Sequence, residues 1–151
     1  MIAIDALNYQ KRWEQFYEVV MKRELNKAFA GFWSAEKEPP PVATGLWGCG
    51  AFGGNPELKA LIQMMAASLA GRRLVFFAYN TTEFYEHYKN FLEFLAKYPE
   101  LTVGSVFKIL SVYCDRVNGT GIESRGFDDS VFEFCVSSIE RDLGERGVKG
   151  A

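Results

Sequence analysis

The sequence predicts an α/β protein in which helices pack on a layered sheet. Three observations carry this. Short apolar runs alternate with longer segments whose apolar residues recur every three or four positions. A glycine-rich stretch, Gly48 to Gly54, joins one such run to one such helix. The chain of 151 residues is 48% hydrophobic and 15% aromatic, enough to fill the core of one domain.

Taken in order, Ile2–Leu7 reads as a short strand. From Tyr9 to about Phe32, Trp13, Phe16, Tyr17, Val20, Leu25, Ala28, Phe29 and Phe32 keep helical spacing, with a break expected near Val19–Met21. Ser34 to Pro41 holds three consecutive prolines and reads as an extended linker. Val42–Leu46 is a second strand, followed by the glycine loop. Asn55-Pro56-Glu57 is a helix start, with Asn as N-cap, Pro in the first position and an acid in the first turn. That helix runs over Leu58–Ala70 and ends at Gly71. Leu74–Tyr79 is a continuous apolar run, which predicts a strand buried on both faces. Helices follow over Thr82–Lys97 and from a Thr102 cap to about Cys114. Asp115–Asp129 reads as loop, Val131–Asp142 as a last helix, and the end from Gly144 as a flexible tail. Residues 1–143 are thus expected to form one unit and 144–151 its tail.

A net charge of −2 argues against a basic nucleic-acid-binding face. Any anion must be gripped locally. No apolar stretch approaches the roughly 20 residues that span a bilayer, so no membrane contact is expected. Cys49, Cys114 and Cys135 lack ligand spacing, and His87 is the single histidine, so no metal site is expected. The odd thiol count reads as reduced cysteines. His87, among Tyr85, Tyr88 and Phe91, reads as a packing or surface residue. Cys49 lies near a helix N-terminus, which can lower a thiol pKa, but reads as a small residue the loop tolerates.

Gly48-Cys49-Gly50-Ala51-Phe52-Gly53 satisfies G-x-G-x-x-G between a strand and a capped helix. Glycines let the backbone approach a ligand closely and let successive N–H groups converge on an anion. The helix after Asn55 adds about half a positive charge at its N-terminus. Two linked phosphates fit that cradle. The bland alternative is a tight turn with no ligand, but four glycines in seven positions exceed what a turn requires. A dinucleotide fold is the rival ligand reading. It calls for an acid at the end of the next strand, where Ala78-Tyr79-Asn80-Thr81 has none.

The same residues carry a family resemblance. Val42-Ala43-Thr44-Gly45-Leu46-Trp47-Gly48-Cys49-Gly50-Ala51-Phe52-Gly53-Gly54, followed by Leu58-Lys59-Ala60-Leu61-Ile62-Gln63, resembles the poly(ADP-ribose) glycohydrolases. Ala3-Ile4-Asp5-Ala6-Leu7, Arg23-Glu24-Leu25-Asn26-Lys27-Ala28 and Leu101-Thr102-Val103-Gly104 extend the likeness from about Ile2 to Tyr113. The resemblance implies a macrodomain-like layered α/β/α sheet with flanking helices, here its C-terminal half. It implies poly(ADP-ribose) or ADP-ribose as the partner, with no cofactor. By it, Leu46, Trp47, Gly48, Cys49, Gly50, Ala51, Phe52 and Gly53 wrap the terminal diphosphate, and Tyr79 packs on the ligand where relatives usually have Phe. Leu46 stands where the family usually has Asn. The family's Gly-Gly-Gly and Gln-Glu-Glu, which supply the catalytic acid, have no counterpart here. The resemblance places them before the strand matching Ile2–Leu7, so no catalytic residue is assigned. The expectations are a glycohydrolase-like chain without its catalytic segment or, alternatively, a non-catalytic ADP-ribose module. Either is expected to be monomeric and to reside in nucleus or cytoplasm.

Overall fold

A computed structural model describes residues 1–78, 82–119 and 130–148 of the chain. Its first regular element is a 3-10 turn at Arg12–Phe16, followed by helix α1 over Glu18–Phe32. The break between them falls at Tyr17, whose φ of −74° and ψ of 132° are extended, two residues earlier than the spacing predicts. Helix α1 buries Met21, Glu24, Ala28 and Phe32 and packs on helix α2, Pro56–Leu69.

Strands β1, Val42–Gly45, and β2, Leu74–Phe77, pair in parallel, with Val42 opposite Leu74 and Gly45 opposite Phe77. Helix α2 is the crossover between them, as parallel pairing requires. Its start follows the sequence closely. Asn55 accepts a hydrogen bond from the Leu58 amide at 2.9 Å, and Pro56 takes the first helical position. Arg72 then ties the proline linker down, donating to the carbonyls of Pro40 and Phe32, each at 2.9 Å.

Two expectations fail here. Ile2–Leu7 is not a strand: among the described residues its backbone meets no neighbouring strand. Its side chains pack instead on α1, close enough that a Cβ on Gly31 would sit 2.9 Å from both Ile2 and Ile4. Strand β2 is not buried on both faces. Leu74 and Phe76 turn toward the helices, while Val75 and Phe77 remain 45% and 58% exposed. Alternation arises because, among the described residues, helices cover one face of the sheet.

Helices α3, Thr82–Leu95, α4, Val103–Gly119, and α5, Val131–Val148, complete the order. The Thr102 cap holds, its hydroxyl accepting from the Ser105 amide at 3.1 Å. Helix α4 runs five residues past Cys114, because Val117 continues its buried stripe. Helix α5 extends beyond Asp142 to Val148, and 149–151 lie outside the described residues. An aromatic cluster joins the layers: Phe76 meets Phe84 and Tyr88, and Phe91 stacks on Phe132 with centroids 4.7 Å apart. The result is an α/β layer with a small parallel sheet, an incomplete version of the predicted class.

Candidate functional site

Strand β1 ends at Gly45 and α2 begins at Pro56, so Leu46–Asn55 is the whole connection. Its path depends on three glycines. Gly48 and Gly53 have φ of 79° and 70°, in the left-handed region that side chains disfavour. Gly54 is needed for a different reason: a Cβ there would lie 2.7 Å from the Gly48 carbonyl oxygen. That close approach lets the Gly54 amide donate to the same oxygen at 2.9 Å and closes the loop.

The loop's amides divide into two sets. Those of Cys49, Gly53 and Gly54 point inward, donating to the carbonyls of Leu46, Gly50 and Gly48. Among the described residues, no acceptor takes the amides of Gly48, Gly50, Ala51 or Phe52. Gly50, Ala51 and Phe52 are also the exposed part of the loop. An oxyanion can therefore meet unpaired donors there beside the positive end of α2. A recess of about 210 Å³ opens beside the exit of the loop, lined by Arg12, Gln15, Cys49, Gly53, Gly54 and Asn55 rather than by the residues with unpaired amides.

Beneath the loop lies a buried charge cluster. Lys59 and Glu24, 3% and 1% exposed, pair at 2.7 Å, and Glu24 also meets Lys27 at 2.5 Å and Arg23 at 3.1 Å. Asp5 pairs with Arg23 at 3.2 Å and Lys27 at 3.1 Å, which holds its carboxyl below the usual range. The Lys59 ammonium also lies 4.0 Å from the Trp47 ring centre, a cation–π contact. Burial pulls the Lys59 pKa down against the opposing pull of Glu24.

The sequence-derived site residues thus separate. Gly48–Gly53 form the loop itself, in which the amides of Gly48, Gly50, Ala51 and Phe52 lack acceptors among the described residues while those of Cys49 and Gly53 are paired. Trp47 rests on Lys59, and Leu46 packs against the core, so both anchor the entry of the loop. Tyr79 lies outside the described residues. Burial pushes the Cys49 thiol up to about 11, with the Lys59 charge opposing. His87 is half-exposed, 3.8 Å from Glu57. Among the described residues no cluster of His, Cys, Asp or Glu suits a metal ion, and no helix is long and apolar enough to cross a membrane.

Sequence reasoning missed several residues that shape this site: Tyr9, Gln15, Gly54 as a point of contact, and the polar groups of α1 and α2. Glu24, Lys27, Lys59 and Gln63 sat inside the resemblance motifs, which is a signal. Gln15 carried none. Glu57 was read as a first-turn acid of its own helix, yet it accepts from the Phe132 amide at 3.1 Å and the Ser130 hydroxyl at 2.8 Å, capping α5. Glu24, Glu57 and Asp5 are therefore all committed to partners.

The family described as poly(ADP-ribose) glycohydrolase, macro domain fold, matches residues 1–86. Poly(ADP-ribose) glycohydrolase 1 of Caenorhabditis elegans is 34% identical over 139 residues, 87% of this chain and 17% of the relative. Poly(ADP-ribose) glycohydrolase 2 of the same species is 46% identical over 65 residues, 42% of this chain and 13% of the relative. A probable poly(ADP-ribose) glycohydrolase 2 of Arabidopsis thaliana is 38% identical over 78 residues, 52% of this chain and 15% of the relative. The chain thus spans less than a fifth of the length of these curated relatives.

Proposed function

This chain belongs to the poly(ADP-ribose) glycohydrolase family, with its macro domain fold, and from that premise we propose that the Gly48–Gly53 loop grips the diphosphate of a terminal ADP-ribose. One observation carries the reading. The amides of Gly48, Gly50, Ala51 and Phe52 lack acceptors among the described residues, in a loop already closed and beside a helix N-terminus. Phosphate oxygens satisfy such donors at little reorganisation cost. Phe52, 42% exposed at the loop's crest, offers an apolar surface to a sugar or base.

Hydrolysis of a ribose–ribose bond further requires a carboxylic acid that protonates the leaving oxygen. Glu24, Glu57 and Asp5 are occupied by cations or amide donors, which favours binding without turnover by this stretch alone. The role proposed for it in hydrolysis is to orient the polymer end for an acid supplied from outside Met1–Ala151. Titration calorimetry with ADP-ribose tests the binding. The 151-residue chain should release or absorb heat with ADP-ribose, and Gly50→Asp should abolish the signal through charge repulsion. Absence of heat, supported by a second binding method, refutes the reading.

A further inference from the structure

We infer that two buried glutamines, Gln15 and Gln63, are positioning residues that hold the glycine loop in its binding shape before any ligand arrives. The inference rests on the diphosphate reading of that loop. Both side chains are essentially removed from solvent, 3% and 0% exposed. Burying a primary amide is unfavourable unless its donors and acceptor are used. Here they are used on the two ends of the loop.

Gln63 projects from α2 to the entry. Its Nε2 donates to the Gly45 carbonyl at 3.0 Å, and its Oε1 accepts from the Thr44 hydroxyl at 2.6 Å. Gln15, on the 3-10 turn, holds the exit. Its Oε1 accepts from the Asn55 amide at 2.5 Å, and its Nε2 donates to the Arg12 carbonyl at 2.6 Å and to the Gly53 carbonyl at 3.4 Å. A backbone N–H can only donate, so the Asn55 bond fixes which end of the Gln15 amide is oxygen.

The consequence for the loop follows from peptide planarity. The carbonyl of Gly53 and the amide of Gly54 share one plane and point in opposite directions. Holding the first toward Gln15 aims the second at the Gly48 carbonyl, and that bond closes the loop. Tyr9 adds a parallel strap, its amide donating to the Phe52 carbonyl at 3.0 Å. The 3-10 turn is itself anchored, because Asn118 of α4 donates to the Phe16 carbonyl at 3.1 Å. Loop order thereby depends on side chains distant in sequence, Gln63 18 positions from Gly45 and Gln15 38 positions from Gly53. A loop ordered in advance loses less freedom on binding and binds more tightly.

The test uses the 151-residue chain with Gln15→Met, which keeps the shape and removes the hydrogen bonds, and Gln15→Glu, which keeps only the acceptor for Asn55. Ile109→Val, a buried position of α4 that makes none of the hydrogen bonds holding the loop, controls for general loosening. ADP-ribose affinity is read by calorimetry and amide exchange by NMR. The expectation is a loss of affinity of tenfold or more for Gln15→Met, with faster exchange confined to Gly53, Gly54 and Asn55. Gln15→Glu should keep Asn55 protected while Gly54 exchanges faster, a split that general destabilisation does not produce. Ile109→Val should bind normally. Unchanged affinity in Gln15→Met, or exchange raised evenly along the chain, overturns the inference. If the unaltered chain itself ignores ADP-ribose, the diphosphate reading falls, and the exchange pattern alone decides the role of Gln15.

Discussion

Replacing Gly54 by Ala is the sharpest test of the loop geometry. The new methyl would stand 2.7 Å from the Gly48 oxygen, 3.1 Å from its carbon and 3.5 Å from the Cys49 Cα. All three are backbone atoms, so no rotamer change relieves the clash. Reaching ordinary contact at 3.4 Å requires 0.7 Å of separation between the two ends of the loop, the difference between 3.4 and 2.7. That movement disrupts the 2.9 Å bond from Gly54 to Gly48. Overpacking of this kind costs about 1–3 kcal/mol and a lost hydrogen bond about 1 kcal/mol, offset by about 0.4–1 kcal/mol from a stiffer unfolded chain. The net is about 1–3.6 kcal/mol, a fall in Tm of roughly 2–14 °C for a chain of this size. Gly50→Ala is the matched control: an added Cβ there meets nothing within 4 Å, and its φ is not left-handed. It should stay within about 0.5 kcal/mol of the unaltered chain. Thermal and denaturant unfolding of both variants decides the matter. A Gly54→Ala chain that melts like Gly50→Ala would refute the closed loop.

Further outcomes follow from the surroundings of the loop. Glu57→Ala removes the carboxylate that caps α5 through Ser130 and Phe132 and should cost about 1–3 kcal/mol in denaturant unfolding; an unaltered midpoint contradicts that role. The native thiols should react slowly with a disulfide reagent at pH 8, since burial raises Cys49 to about 11 and both Cys114 and Cys135 to about 12, and a thiol reacting at the free rate counts against the packing. For Lys59 the folded pKa lies below the unfolded value of 10.5, so between the two the unfolded chain binds more protons and this group's contribution to stability rises with pH. Lys59→Met should remove that rise, and an identical pH profile in both proteins would contradict it. Gly53→Asp strains a φ of 70° as well as repelling phosphate, so it should lower Tm in addition to abolishing binding, which makes Gly50→Asp the cleaner probe of the site.

Local chemistry made much of this molecule legible in its sequence. Asn55-Pro56-Glu57 states a helix start in side-chain terms, and the cap forms as read. The glycines of the loop announce a backbone that side chains would obstruct, and Gly48 and Gly53 carry the positive φ values that justify them. Elements that depend on distant partners were less legible. Ile2–Leu7 has a strand's composition, yet a strand exists only where another backbone lies alongside, and periodicity does not report that. The run Leu74–Phe77 is apolar at every position, so the sequence could not say which face the helices would cover. The polar staples were hidden for the same reason. Gln15 looks like any surface glutamine on an amphipathic helix until the loop 38 residues later folds against it.

The buried polar groups explain how a loop so poor in side chains keeps one shape. Glycines enlarge the unfolded ensemble, so Gly48–Gly54 is costly to order. Apolar packing offers little compensation where most positions lack a side chain. Order must come from outside, and it arrives through Gln63 at the entry, Gln15 and Tyr9 at the exit, and Lys59 under Trp47. Lys59 is in turn held by Glu24 of α1, so the arrangement depends on α1 and α2 being packed together. A substitution between these helices should therefore loosen the loop without touching it. Replacing Glu24 by Gln tests this, because it keeps the shape while leaving Lys59 with a weaker partner. Breaking one side of a buried pair costs about 3–5 kcal/mol, less here because Glu24 shares its charge with Arg23 and Lys27, which are more exposed than Lys59. The variant should show faster exchange at Gly54 and a changed Trp47 fluorescence before global unfolding begins. If both signals change only together with the global transition, the loop is ordered independently of the charge cluster.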